Sequence, residues 1–483
     1  MRDTDEEDYT DAIDDMEDGI APVELAQQGD VPRPKPRGPA PADHAAEYLS
    51  ERRHETPGGL RLRKHRGQWL RYTGSHYEVL TQEELAADVT NYFNGTAYRS
   101  KVNPSFVSSV VGQLTARCLI PDTIELPAKE NKGQWSPAPN IVVLNNGYIT
   151  MASVQDREPP GLQKHSPNLV SRCLLPYDYL PSVQCPAWSK FLEEILPVEG
   201  SRRLLQEIFG YCLTTDVSLQ KFFMFEGTGG NGKGVVTSIL VRMVGLENTS
   251  SLSVDRFHEK HELAVAVGKL VNFTSELGAN DKISEELLKR VTGGDLITVN
   301  PKYLKPFTTK FTAKIIISTN ARPAFADRSN GIWRRLIVLA FPVTIPTERQ
   351  DPHLEESLAR EMSGILNWAI QGAISLHRRG RFQEPQASID ARVNFQKESN
   401  PAKLFFEDCC ANDKAGSVGT RALYDRYKEF IQDHGYKPLN EVNFQKEVLQ
   451  LPGVTKERES NRSGGPRPHV YRGITTTSPG ERA

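Results

Sequence analysis

Phe222-Phe223-Met224-Phe225-Glu226-Gly227-Thr228-Gly229-Gly230-Asn231-Gly232-Lys233-Gly234-Val235-Val236 is the stretch on which the fold turns. Its first part is a short apolar run closed by turn residues, the pattern of a buried strand. After the glycines, Val235, Val236, Ile239 and Leu240 recur at helical spacing. Gly227 to Lys233 fits the G-x-x-x-x-G-K half of the phosphate-cradling motif. Its glycines let the backbone curl so that successive N–H groups face an anion. The helix start adds a partial positive charge and Lys233 a full one. Gly227, Thr228, Gly229, Gly230, Asn231, Gly232, Lys233 and Gly234 are therefore candidate contacts for a nucleotide. Gly234 stands where the motif places the Ser or Thr that would hold Mg²⁺. A glycine-rich hairpin without function is the competing reading, and the strand–loop–helix context argues against it.

Downstream, Lys269 to Glu276 reads as a second strand ending on a carboxylate, and Lys314 to Asn320 as a third ending on an amide. Leu336 to Phe341 is a fourth, directly after Trp333-Arg334-Arg335. Parallel sheets carry ligands at the carboxyl ends of their strands, which brings Lys233, Glu276 and Asn320 into one expected site. Those groups suit phosphoryl transfer to water. Lys233 would hold phosphates, Glu276 would orient the water and help hold Mg²⁺, Asn320 would position the water or the γ-phosphate, and an arginine from a neighbour would offset developing charge. Taken singly, Glu276 is a strand-end acid and Asn320 a turn former. Between the second and third strands, Leu296, Ile297 and Val299 suggest a strand and Asn300-Pro301 a turn. Lys302, Tyr303 and Lys305 would sit near that hairpin's tip, where cations and a ring can take a phosphate and stack a base. An ordinary exposed hairpin is the alternative.

The length of 483 residues allows two or three domains. Net charge is −2 overall, but residues 1–20 carry −9, leaving a remainder of +7 that suits a polyanion. Cys118, Cys173, Cys185, Cys212, Cys409 and Cys410 show no C-x-x-C spacing, so neither a zinc site nor a disulfide framework is expected. No apolar run is long enough to span a membrane, and the acidic start is not a signal peptide. A cytoplasmic setting is expected.

Residues 1–45 read as a disordered acidic and Pro-rich tail, in which Asp3-Thr4-Asp5 is a solvated pair rather than a primase site. Residues 46–180 read as a small α+β domain. It holds helices over 81–93 and 105–116, a hairpin turning at Gly74, and another at Asn146-Gly147. The Arg61, Arg63, Lys64, His65, Arg66 cluster reads as a solvated face, with nucleic-acid contact the alternative. Residues 181–377 form the α/β core, with helices over 187–195, 202–214 and 354–376. Residues 378–395 read as a linker. Residues 396–475 read as three helices and a two-stranded wing, a winged helix serving DNA or protein contacts. Residues 476–483 are a tail.

The set from the phosphate loop through Ser275-Glu276, Thr292-Gly293-Gly294-Asp295, Ser318-Thr319-Asn320 and Trp333-Arg334-Arg335 resembles the superfamily III helicases. It is most similar to the helicase portion of phage and plasmid primase-helicases and their poxvirus-type relatives. The 361–372 segment, Asn145-Asn146-Gly147 and Leu175-Pro176-Tyr177-Asp178 extend the likeness over about residues 50–475. The resemblance implies an AAA+ type P-loop ATPase core, assembled as a homo-hexameric ring that threads single-stranded DNA. Lys233 would be the Walker A lysine, Glu276 the Walker B acid and Asn320 the sensor. Arg335 would be the finger acting on the neighbour's ATP, with Arg334 second, and Lys302 and Tyr303 the pair on the DNA-tracking hairpin. ATP and Mg²⁺ are the implied cofactors; a water would take the place of the hydroxyl that Gly234 lacks. The expected function is an ATP-dependent replicative DNA helicase of a phage, plasmid or integrated element in a bacterial host, acting on single-stranded and forked DNA. A ring-forming initiator or loader that uses ATP as a switch is the alternative. No primer synthesis is expected from this chain alone; a separate primase or initiator would be the partner.

Overall fold

Phe222, Phe223, Met224 and Phe225 are all buried, and they alternate between two cores. Phe223 and Phe225 join Leu204, Ile239 and Ile365; Phe222 and Met224 join Leu288, Val291 and Phe395. This strand packs apolar side chains on both of its faces, so the run shows no polar alternation. The computed structural model describes residues 39–477, apart from residues 53, 152–159, 276–282, 303, 321, 324, 326–329, 437 and 459–467.

The central sheet is five parallel strands in the order Thr249–Ser250, Val271–Ser275, Lys314–Thr319, Phe222–Glu226, Leu336–Ala340. One face is covered by helices Pro186–Ile195, Glu199–Tyr211, Lys233–Val244 and Met362–Arg379. The other carries helices Glu285–Gly293 and Gln386–Ser399 and the antiparallel pair Leu296–Val299 and Phe307–Lys310. The chain is thus a mixed α/β protein built on a parallel sheet. Two helices on the first face, Glu199–Tyr211 and Met362–Arg379, bring backbone against backbone at their glycines. A Cβ on Gly210 would lie 2.2 Å from the Ala373 nitrogen, and one on Gly372 2.1 Å from the Gln206 oxygen.

Several elements differ from those the sequence predicts. The helix expected over 354–376 is two helices, Leu354–Ala359 and Met362–Arg379. The break frees the Glu361 carboxylate to accept the N–H groups of Ala187 and Trp188, each at 3.0 Å, capping the next helix over. Most of the expected 378–395 linker is structured, because Gln386–Ser399 is a helix with Ala391 and Phe395 in the core. Its apolar residues are too sparse to show a face in sequence. The expected tail boundary at 45 cuts through helix Pro41–Glu51, which buries Ala45, Tyr48 and Leu49. Residues 1–38 lie outside the described residues.

The N-terminal region has the expected helices, as Gln82–Asn94 and Pro104–Cys118, and both expected hairpins. Its basic cluster is not a solvated face. Arg63 is buried and paired with Glu130, and His65 is buried with Nε2 2.9 Å from the Ile124 oxygen. Burial pushes the His65 pKa down to about 4. These two side chains occupy alternate positions along strand Leu62–His65, which also buries Leu62 in the core.

The C-terminal region runs helix Pro401–Cys409, strand Cys410–Gly419, helices Thr420–Asp433 and Glu441–Val448, then strands Thr455–Arg458 and His469–Thr476. The three strands pair antiparallel with His469–Thr476 in the middle. Tyr427 and Phe444 stack at 4.3 Å between two of the helices. Strand Cys410–Gly419 was not expected; it is mostly polar, and only its pairing identifies it. No helix among the described residues is long and apolar enough to cross a membrane.

Candidate functional site

The loop leaving strand Phe222–Glu226 turns through Gly229, Gly230 and Gly232 at φ of +103°, +58° and +82°. Side chains rarely adopt such angles, so glycine is required for the curl. Gly232 also lies against helix Pro186–Ile195, where a Cβ would come within 2.9 Å of Ile195 and 3.0 Å of Phe191. Lys233 then opens the following helix.

Lys233 is buried, and its ammonium is held by oxygens alone. It donates to the Gly227 carbonyl, to the Thr319 carbonyl at 3.1 Å and to Asn320 Oδ1 at 2.8 Å. Burial lowers its pKa, and the nearby Glu226 charge opposes that shift. Strand pairing produces the contact with Asn320. Glu226 stands opposite Thr319, so the loop and Asn320 leave adjacent strands at the same level. Asn231 folds under the loop, its Oδ1 accepting the Lys233 N–H at 3.3 Å while its buried Nδ2 has no hydrogen-bond partner.

A cavity of about 650 Å³ opens at this point. It is lined by the loop from Gly229 to Gly234, by Ser318 and Asn320, and by apolar Phe191, Ile345 and Leu354. The volume suits a nucleotide-sized ligand. At Gly234 a Cβ would meet nothing within 4 Å, so space for a water remains where the motif's hydroxyl would stand. No group of three potential metal ligands occurs among the described residues. Glu276 lies outside the described residues. Its strand, Val271–Ser275, is separated from the loop strand by Lys314–Thr319.

Arg335 lies at the other end of the sheet. Its carbonyl accepts the Phe222 N–H at 3.0 Å, so it is level with the start of the loop strand. The five-residue length of that strand, roughly 16 Å at 3.3 Å per residue, separates it from its own phosphate loop. Its Nη1 donates to the Gly331 carbonyl at 2.8 Å, and its Nε is buried without a partner. Burial and the neighbouring Arg334 lower its pKa, while Asp295 raises it. Arg334 is exposed. The length of the strand thus stands between these two arginines and the glycine-rich loop of the same chain.

The expected hairpin is present, with Val299 opposite Phe307 and with Ile297 and Val299 packed into the core. Lys302 and Lys305 are exposed in its connecting loop; Tyr303 lies outside the described residues. One feature of the hairpin was not anticipated. Arg66 and Glu125 of the N-terminal region grip its returning strand. Arg66 donates to Thr309 Oγ1 at 2.7 Å, Glu125 accepts from Thr309 Oγ1 at 3.0 Å and from the Lys310 N–H at 3.3 Å, and the two are paired with each other at 2.7 Å.

Arg322, two residues past Asn320, was also missed. Its Nε and Nη2 donate to the two oxygens of Glu226 at 2.7 and 3.0 Å, and its Nη1 donates to Glu398 at 2.7 Å. An arginine just beyond a strand-end amide was the available signal, but its partner depends on strand order.

Residues 225–335 match a family of unknown function, DUF5906, and residues 397–471 match a family described as Poxvirus D5 protein-like. "Putative helicase L207/L206" of Acanthamoeba polyphaga mimivirus is 29% identical over 163 residues, 31% of this chain and 16% of that protein. "Putative helicase 022R" of Frog virus 3 (isolate Goorha) is 21% identical over 265 residues, 50% of this chain and 27% of that protein. The chain therefore spans less than a third of the curated relatives it matches. Two apo structures of the C-terminal region of NrS-1 share the fold, with TM-scores of 0.50 and 0.51 at 13% and 12% identity. They cover 90% and 91% of this chain and all of theirs. The viral relatives are named as putative helicases, and the NrS-1 structures share the fold of this chain.

Proposed function

We propose that this chain, a relative of the superfamily III primase-helicases, is an ATP-driven DNA helicase of a phage, plasmid or integrated element. In this reading the parallel sheet is an AAA+ type P-loop core. It assembles as a homo-hexameric ring around single-stranded DNA and opens forked duplex in the host cytoplasm. The carrying observation is the 2.8 Å contact between Lys233 and Asn320 at the carboxyl edge of the sheet, within a nucleotide-sized cavity.

The loop N–H groups and Lys233 hold the β- and γ-phosphates. An incoming phosphate oxygen replaces a carbonyl on the ammonium, leaving Asn320 beside the γ-phosphate to place the attacking water. Glu276 orients that water. Mg²⁺ would supply charge neutralisation on the phosphates; Glu276 would help hold it, and the open space at Gly234 would leave room for a water where the motif has a hydroxyl. Arg335 or the exposed Arg334 reaches the neighbouring subunit's nucleotide, consistent with its distance from its own loop. Lys302, Tyr303 and Lys305 contact the DNA strand, and a separate primase or initiator works alongside. The helix–strand–helix–helix–strand–strand order of the C-terminal region favours a winged helix.

Hydrolysis measured with and without single-stranded DNA, alongside displacement of a labelled strand from a fork, tests this. Native protein is expected to show DNA-stimulated hydrolysis and displacement, and Lys233→Ala to lose both. Lys302→Ala is expected to lose displacement and the DNA stimulation. Displacement at the native rate by Lys302→Ala would remove the hairpin from the mechanism.

A further inference from the structure

Glu226 places a negative charge at the base of the glycine-rich loop, next to residues that would hold phosphates. It is the last residue of the loop strand, adjacent to Gly227, whose carbonyl already accepts from Lys233. A free carboxylate there would compete for the ammonium and repel a triphosphate. It is not free: Arg322 takes both of its oxygens in a fork, the geometry in which a guanidinium holds a carboxylate most firmly. The fork is itself fixed. Its third nitrogen donates to Glu398 on helix Gln386–Ser399, and the guanidinium lies 5.6 Å from the centre of the Phe395 ring. Side-chain exposures of 20% for Arg322 and 21% for Glu226 put the pair where solvent screens only partly.

We propose that Arg322 is a positioning residue for the nucleotide: it holds the Glu226 carboxylate off Lys233, so that the ammonium stays available to the phosphates. This rests on the ATP-binding reading of the same site. Arg322 itself touches no phosphate; it acts through Glu226.

Titration of the 483-residue chain with a fluorescent ATP analogue and Mg²⁺ gives a dissociation constant, and steady-state hydrolysis gives KM and kcat. Arg322→Met is expected to weaken binding and raise KM about tenfold, with a smaller change in kcat. Glu226→Gln alone binds as native does. The double variant Glu226→Gln, Arg322→Met returns to within about twofold of native, because the competing charge is gone. Native affinity in Arg322→Met overturns the proposal, and so does a double variant as weak as Arg322→Met alone. Should Arg322→Met fail to fold, Arg322→Lys keeps the charge but cannot fork both oxygens. It is expected to bind a few-fold more weakly, and native affinity there is equally fatal. A native chain that binds no analogue would overturn the ATP reading together with this one; unaltered binding by the variants overturns this one alone.

Discussion

Gly234 has open space around its α-carbon in the direction a side chain would take. Gly234→Ser therefore supplies the hydroxyl of the phosphate-loop motif without a clash. The Mg²⁺ concentration for half-maximal hydrolysis is expected to fall a few-fold, and an unchanged titration would mean that the metal does not sit at this position. Lys314 offers a second measurement. It is buried, donates to the Thr214 and Thr312 carbonyls, lies over the Tyr211 ring, and burial brings its pKa down to about 8. Between that pKa and the usual lysine value the unfolded chain binds more protons, so stability rises with pH across the interval. In denaturant titrations the native chain is expected to gain on Lys314→Met between about pH 8 and 10.5, by up to roughly 3 kcal/mol, and parallel curves would refute the depressed pKa. At this scale the sequence was informative where a residue belongs to a local motif, as Lys233 does. It was silent on Arg322 and Glu226, which are 96 residues apart and meet only because their strands are neighbours.

The longer strands could be read directly from their apolar runs, although Val271–Ser275 also buries Asn272 and Thr274, which hydrogen-bond to Ser250 and Leu252. The exceptions have opposite causes. Thr249–Ser250 is too short to carry a pattern, and Cys410–Gly419 is too exposed to need one. Helix Gln386–Ser399 passed for a linker because few of its residues touch the core, yet Phe395 contacts the Phe325 and Trp333 rings at 5.3 and 5.2 Å. Phe395→Ala is expected to destabilise the core by about 3–5 kcal/mol in denaturant titrations, whereas a linker residue would change it by well under 1. Gly210→Ala forces apart helices Glu199–Tyr211 and Met362–Arg379 and is expected to cost about 1–3 kcal/mol by the same measurement.

For the whole molecule, the separation of Arg335 from its own phosphate loop makes the ring testable by mixing. Lys233→Ala subunits lack a working pocket but keep the arginine; Arg335→Ala subunits have the reverse. Each alone is expected to be inactive. Equal mixing in a ring should restore activity at about a quarter of the interfaces, those pairing an intact pocket with an intact arginine. Silence from that mixture, with recovery when Arg334→Ala replaces Arg335→Ala, would move the role to the exposed arginine. The clasp of Arg66 and Glu125 on Thr309 and Lys310 joins the N-terminal lobe to the same strand that returns from Lys302 and Lys305. A lever fastened to a heavy block cannot swing by itself: any excursion of the lysine-bearing tip must either haul the lobe along or unhook it, so in the proposed ring the entrance to a central channel would change shape with every stroke.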